Sequence, residues 1–408
     1  MNGVPLPEIE TVLNRFTDWL EQYGESSWDH QTYFAGSVGR RAKALYYRNK
    51  TLGTMAVAPM IFSEALAPSA RRLFSGRLRF PIADAHYAMG FAYRARTNGD
   101  PASHARAVTF LEELAKSRCG GYEHWCWGYP FDWATRNGTI RRGTPLITTT
   151  PYVYEAFREV FGLDGNPRWQ AAMASMVLHA IEDIKDHRVS DTSSTCSYTP
   201  FDHGGVINAS AYRAFMLTCA CVDFDDLRLW SIAERNLNFV LQAQRADGSW
   251  FYSVDGERDF VDHFHTCFVL KALAKIETLK PGADCRQAIE RGAAYYLANL
   301  LDKRKLPKPF SKAPRMTVYR RELYDYAECI NLCVLLRDRI PEMESVLTHT
   351  IADLLSRWVK PDGSFRSREL WFTWDNVPMH RWAQSQMFRA LSLLVMSERD
   401  SRTANRVA

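Results

Sequence analysis

Asp262, His263 and His265 crowd together in the stretch WFYSVDGERDFVDHFHTCFVLK (250–271), where a turn made by Asp247, Gly248, Ser249 and Trp250 gives way to an apolar helical run. A carboxylate three residues ahead of an imidazole shares a helical face with it, and so does Thr266, four residues on. Asp262 can then hold one tautomer of His265 and set the ring for proton transfer. For either histidine taken alone, a core or capping role competes with this one.

Three further junctions carry more polar and aromatic groups than a turn requires. In CWGYPFDWATR (126–136), Trp127 and Trp133 have the amphipathic rings that stack on sugar faces, and Asp132 can bond hydroxyls. The competing reading is an aromatic cluster packed under a long loop. In SYTPFDHGGVINASAY (197–212), Asp202 and Asn208 flank a helix start, which favours anions, although Asp202 also suits a plain cap. The last junction is split between YRRELYDYAECI (319–330), with Tyr324 and Glu328, and WFTWDNVPMHRWAQSQ (371–386), with Arg381 and Trp382.

Together these groups suit removal of the proton beside a uronic acid carboxylate, by epimerisation or elimination. His265 or Tyr324 acts as base or acid, Asp262 orients His265, Arg381 and Asn208 neutralise the acid group, and Trp127, Trp133 and Trp382 stack on sugar. A glycoside hydrolase would instead draw two carboxylates from Asp132, Asp202, Asp262 and Glu328, spaced roughly 5–9.5 Å apart. VDFDD (222–226) contains the D-x-D-D string of class II terpenoid cyclases, but a helix cap with acidic neighbours explains it more simply. A non-catalytic glycan-binding protein is the remaining alternative.

The elements that must position these residues are helices. Apolar residues recur with helical spacing near 10–24, 34–50, 53–74, 81–97, 102–116, 146–162, 166–187, 205–221, 226–244, 259–277, 284–299, 321–338, 343–359 and 379–396, and strand alternation is nearly absent. QRADGSW (244–250) and VKPDGSF (359–365) each follow a long amphipathic segment, and CGGYEHW (119–125) reads as a degenerate third copy. Repeated helix pairs closed by such turns stack into a ring or solenoid. The expected fold is all-α: one α/α toroid domain over 1–408, of 12–14 helices, with its loops converging on a rim cleft.

Composition sets the outer bounds. Hydrophobic residues are 46% and charged residues 24% of the chain, the balance of a globular protein with a sizeable core. A net charge of +5 is too diffuse to argue for nucleic acid. No apolar run approaches the ~20 residues that cross a bilayer. Glu8, Glu10 and Arg15 interrupt the opening MNGVPLPEIETVLNRF where an export signal needs its apolar core, so a cytoplasmic location is expected. The nine cysteines sit mostly in apolar helical segments and read as free thiols, with no zinc spacing, no other metal site and no cofactor.

CWGYPFDW, the TTTPYVYEAF run (148–157), CSYTPFDHGGVINAS, DGSWFYS to DHFHTCFVLKAL, and MHRWAQSQMFRAL resemble, in that order, the VpsJ-like family of bacterial polysaccharide-biosynthesis proteins. The likeness spans about residues 80–396. It implies a squalene-cyclase-type α/α toroid and a role in making or tailoring exopolysaccharide, capsule or lipopolysaccharide, acting on a glycan or lipid-linked saccharide. That family usually has Asn where this chain has His203 and His263. Asp202, Asn208, Asp262 and His265 fit its pattern better.

Overall fold

The computed structural model describes residues 4–407; residues 1–3 of the opening stretch and residue 408 lie outside the described residues. Its helices are Leu6–Tyr23 (α1), Thr32–Ala35 (α2), Ser37–Arg48 (α3), Lys50–Leu66 (α4), Pro81–Asn98 (α5), Pro101–Lys116 (α6), Thr150–Asp164 (α7) and Pro167–Leu178 (α8). They continue with Ile207–Asp223 (α9), Leu227–Gln242 (α10), His263–Leu279 (α11), Arg286–Asn299 (α12), Leu323–Leu336 (α13), Glu342–Asp353 (α14) and Ser385–Val407 (α15).

α5 packs on α7, α7 on α9, α9 on α11, α11 on α13 and α13 on α15, and α15 returns to α5, so six inner helices close a ring. α6, α8, α10, α12 and α14 back the inner helices they follow, and α1 lies against α15. This is the α/α toroid expected from the helix-and-turn repeat. The two layers differ in sequence because they differ in burial: α9 is buried on every side from Ile207 to Cys221, whereas α10 buries one stripe that includes Leu229, Ala233, Leu237 and Val240. The ring closes tightly where α5 meets α15: a Cβ on Gly90 would lie 2.6 Å from the Phe388 ring.

The repeated turns hold the layers in register. Asp247 accepts from the Ser249 amide and hydroxyl at 3.0 and 2.7 Å, and Asp362 does the same with Ser364 at 3.0 and 2.7 Å. Gly248 and Gly363 have φ of +91° and +90° and lie against the carbonyls of Arg291 and Arg15 on neighbouring outer helices. In the degenerate copy the aromatic is displaced by two residues. Trp127, not Trp125, donates its indole N–H to a carbonyl of the preceding helix (Leu114, 2.9 Å), as Trp250 does to Val240 at 2.9 Å.

Local departures from the sequence expectations have simple causes. α1 begins at Leu6, ahead of the 10–24 span expected from sequence, because Pro7 sits in the first turn, where a missing N–H costs nothing. The 166–187 segment ends its α-helix at Leu178 and finishes as a wider π turn over His179–Asp183. VDFDD caps and pairs: Asp226 accepts from the Arg228 amide as N-cap of α10, and Asp223 holds Arg158 and Tyr154 at the end of α9 that is remote from the loop-bearing rim. The terpenoid-cyclase alternative thereby loses its acid. All nine cysteines are buried and free.

Between α1 and α5 the chain makes an excursion, α2–α4, that packs on the short strand Trp133–Thr135. Its far end is fixed by four buried charges. Arg71 donates to Glu64 at 2.7 Å and to Asp375 at 2.6 Å, and Arg368 bonds the same two carboxylates. Asp375 and Arg368 belong to a three-stranded rim sheet formed by Tyr319–Glu322, Arg368–Leu370 and Trp374–Asp375.

Candidate active site

The N-termini of the inner helices, and the loops that feed them, gather at one rim. Asp262 is the N-cap of α11: its Oδ1 accepts from the His265 amide at 2.9 Å, and its backbone carbonyl accepts from the Thr266 hydroxyl at 2.7 Å. Its other oxygen, Oδ2, lies 2.6 Å from Nδ1 of His265. In the neutral ring this contact selects the tautomer with the proton on Nδ1 and the lone pair on Nε2. Nε2 has no hydrogen-bond partner among the described residues, and the side chain is 22% exposed. His263, two residues earlier, turns into the wall between α11 and α12, where its Nε2 meets the Tyr296 hydroxyl at 2.9 Å.

Aromatic rings continue from His265 around the rim. Tyr252 stands edge-on to the imidazole with centroids 4.7 Å apart, and Phe264 is 4.4 Å away. Tyr324, at the start of α13, packs between Phe264 and Trp382, 5.0 Å from each. Burial, reinforced by the charge of Glu328, raises the Tyr324 phenol well above its ordinary value. It therefore stays protonated at neutral pH and suits the part of acid or hydrogen-bond donor, not base.

The next part of the rim is built by a π-helical turn, His380–Gln384, just ahead of α15. It presents Trp382, half-buried, with the Arg381 guanidinium 4.5 Å from that ring and 4.8 Å from Tyr129. Arg381 is buried and bound through two nitrogens, at 2.7 Å each, to Asp29. Its charge is therefore already matched, which removes it as a free clamp for a substrate carboxylate. Trp133 lies beyond Tyr129 (5.5 Å), half-buried, with the Lys43 ammonium 5.9 Å from its ring.

The remaining residues expected from sequence are placed as follows. Trp127 is fully buried in the core and out of reach of a ligand, because its ring completes the degenerate turn. Asp202 is spent on its own loop, accepting from the amides of Tyr198 and Gly204 at 2.8 and 2.9 Å and from the Thr199 hydroxyl at 2.8 Å. Glu328 lies one turn below Tyr324, fully buried and paired with Lys271. Asp132, half-buried, accepts from the Arg142 amide at 2.9 Å and stands 3.6 Å from Arg40. Asn208 sits in the first turn of α9 with its side-chain oxygen buried and unbonded.

Three groups carry no local sequence signal. His30 lies tilted against Trp382, centroids 5.9 Å apart, with Nδ1 3.3 Å from the Met379 sulfur, and burial pushes its pKa down to about 3, leaving a neutral ring. Glu322, the residue before α13, is pushed up to about 7 by burial, with Asp375, Asp29 and Asp262 adding to the rise and Arg368 opposing it. Lys43 is lowered to about 8 by burial and by Arg315 and Arg381. Among the described residues no group of three or more His, Cys, Asp or Glu is placed to hold a metal ion.

The solved structures similar to this chain share its architecture. They include a cellobiose 2-epimerase from Bacillus thermoamylovorans (TM-score 0.62, 8% identity, 78% of this chain and 88% of that one) and a GH76 α-mannanase from Bacteroides thetaiotaomicron (0.59, 9%, 80% and 88%). A polysaccharide lyase matches at TM-score 0.55 with 10% identity over 90% of this chain and 99% of its own. At such identities the likeness defines the class of fold, an α/α toroid, and leaves the chemistry to the site. No family model matches the chain, and no curated protein matches it by sequence.

Proposed function

We propose that this chain is a carbohydrate-modifying enzyme that moves a proton at a sugar carbon beside a carbonyl, as an epimerase or isomerase does. The observation that carries the reading is the His265–Asp262 pair: an oriented imidazole with a free Nε2 among rings suited to a sugar face. Nε2 takes the proton from the carbon, and the electron pair passes into an enediolate. The growing charge on its oxygen is met by the Tyr324 hydroxyl, and once the enediolate has turned its other face to His265, return of the proton from Nε2 to the carbon gives the epimer. Trp382 and Trp133 supply stacking surfaces, and Asn208 a side-chain oxygen without a protein partner. Paired-carboxylate hydrolysis is less favoured, because Asp132, Asp202 and Glu328 are each committed to protein partners.

A second reading, lysis or epimerisation of a uronate, is supported by Lys43, which has no carboxylate partner among the described residues. On either reading the chain acts as one domain, on a glycan or lipid-linked saccharide, within polysaccharide biosynthesis and in the cytoplasm, without nucleic acid. The test is incubation with reducing sugars and with uronate glycans in D2O. Deuterium entering the carbon beside the carbonyl, abolished by His265→Ala, supports the first reading; an ultraviolet-absorbing unsaturated product supports the second. Absence of both, or exchange that survives His265→Ala, ends them.

A further inference from the structure

α3 and α4 bury very little. Of seventeen residues in α4 only Gly53 and Glu64 are buried, and of twelve in α3 only Gly39 and Ala42. Leu52, Met55, Pro59, Phe62 and Leu66 follow one another at spacings of three and four, so they form one stripe along α4. That stripe faces solvent: Met55 is 69% exposed, Phe62 64% and Leu66 61%. Leu73 and Phe74 extend it past the end of the helix, at 84% and 69%. A continuous exposed apolar band of this kind marks an interaction surface.

Charge indicates what covers it. From His30 to Ser63 the chain has no Asp or Glu, while α3 and the start of α4 carry, besides the half-buried Lys43 of the cleft, Arg40, Arg41, Arg48 and Lys50. Arg40 approaches Asp132; Arg41, Arg48 and Lys50 have no ion pair among the described residues. We propose that the α2–α4 excursion docks on an anionic lipid surface, lying in the plane of the interface with the α4 stripe among the acyl chains and the α3 cations at the headgroups. α4 is too short to cross a bilayer, and no described helix is long and apolar enough to do so. A second copy of the chain is a poorer occupant, since a two-fold contact sets these cations against themselves. Because α2 and α3 pack on Trp133–Thr135, docking brings the mouth of the cleft to the membrane surface, where the sugar of a lipid-linked saccharide resides. The proposal stands apart from the catalytic reading.

The full chain is floated with vesicles of phosphatidylcholine alone or with added phosphatidylglycerol. The expected result is at least about tenfold more protein bound to the anionic vesicles, with the excess lost in high salt. Met55→Glu with Phe62→Glu abolishes flotation without moving the thermal melt, and Arg41→Glu with Arg48→Glu removes the preference for anionic lipid. Equal recovery with both vesicle types, or flotation that survives Met55→Glu with Phe62→Glu, overturns the proposal. So does a vesicle-free dimer, seen by sedimentation, that this double variant disperses, because the stripe is then a seam between subunits.

Discussion

Asp262 serves His265 twice: Oδ1 caps the helix that carries the histidine, at 2.9 Å from its amide, and Oδ2 binds the histidine ring at 2.6 Å. One carboxylate thereby fixes both the backbone and the tautomer of the candidate base. Asp262→Asn keeps an oxygen for the cap but no longer guarantees the tautomer. The expected outcome is a melting temperature within a few degrees of the parent and a kcat lower by about 10²-fold or more. Paired thermal melts and rate measurements check it; equal losses in Asp262→Asn and in Thr266→Val, which only frees the Asp262 carbonyl in the first turn, would mean that the carboxylate is only structural.

Trp127 and Trp133 separate architecture from ligand binding. Trp127→Ala removes a fully buried ring and its bond to Leu114, and is expected to cost about 3–5 kcal/mol in denaturant unfolding. Trp133→Ala, at the rim, is expected to leave stability within about 1 kcal/mol and to weaken glycan binding about tenfold in calorimetry.

The two DGS turns predict matched lesions. A Cβ at residue 248 would stand 2.4 Å from the Arg291 carbonyl, and one at 363 would stand 2.5 Å from that of Arg15, each on a backbone of positive φ. Gly248→Ala and Gly363→Ala are each expected to destabilise by more than about 1 kcal/mol, against little effect for Gly76→Ala, whose added methyl meets open space.

Two buried carboxyls give stability opposite slopes with pH. Burial opposes ionisation of Glu155, but Lys275 and Arg389 prevail and hold it at about 2, below its unfolded value of 4.5. Its contribution is full above pH 4.5 and is lost as pH falls toward 2. Glu322, raised to about 7, works the other way: the folded chain holds its proton more tightly, so stability is greatest below pH 4.5 and declines as pH rises through 7. Glu155→Gln should unfold more easily at pH 7 and flatten the acid limb, whereas Glu322→Gln should melt higher than the parent at pH 8.

The helices were legible because helical periodicity and DGS turns are local. Every sequence-predicted segment has a helix within it, and Asp262 with His265 was found because a cap and its third residue are neighbours in the chain. The misreading of Trp127 has the same root. Two extra residues in CGGYEHWCW shift the aromatic that completes the turn, and only the bond to Leu114 shows which tryptophan fills the place. Arg381 reads as an unmatched cation within its own segment because its partner, Asp29, is 352 residues away. His30, Lys43 and Glu322 gain their character from burial among distant segments, which no short window contains.

The ring closure has a consequence for how the chain is made. Phe16 of α1 packs on Phe365 and Phe388, with centroids 5.2 and 5.4 Å apart, and Gly90 of α5 rests on Phe388. α1, and the face of α5 that does not rest on α6 or α7, thus complete their packing only with residues some 300 positions later in the chain. Until residues 365–396 emerge, α1 and α5 must keep apolar faces uncovered, so a nascent chain of this protein is exposed to aggregation and to chaperone capture until α15 is synthesised.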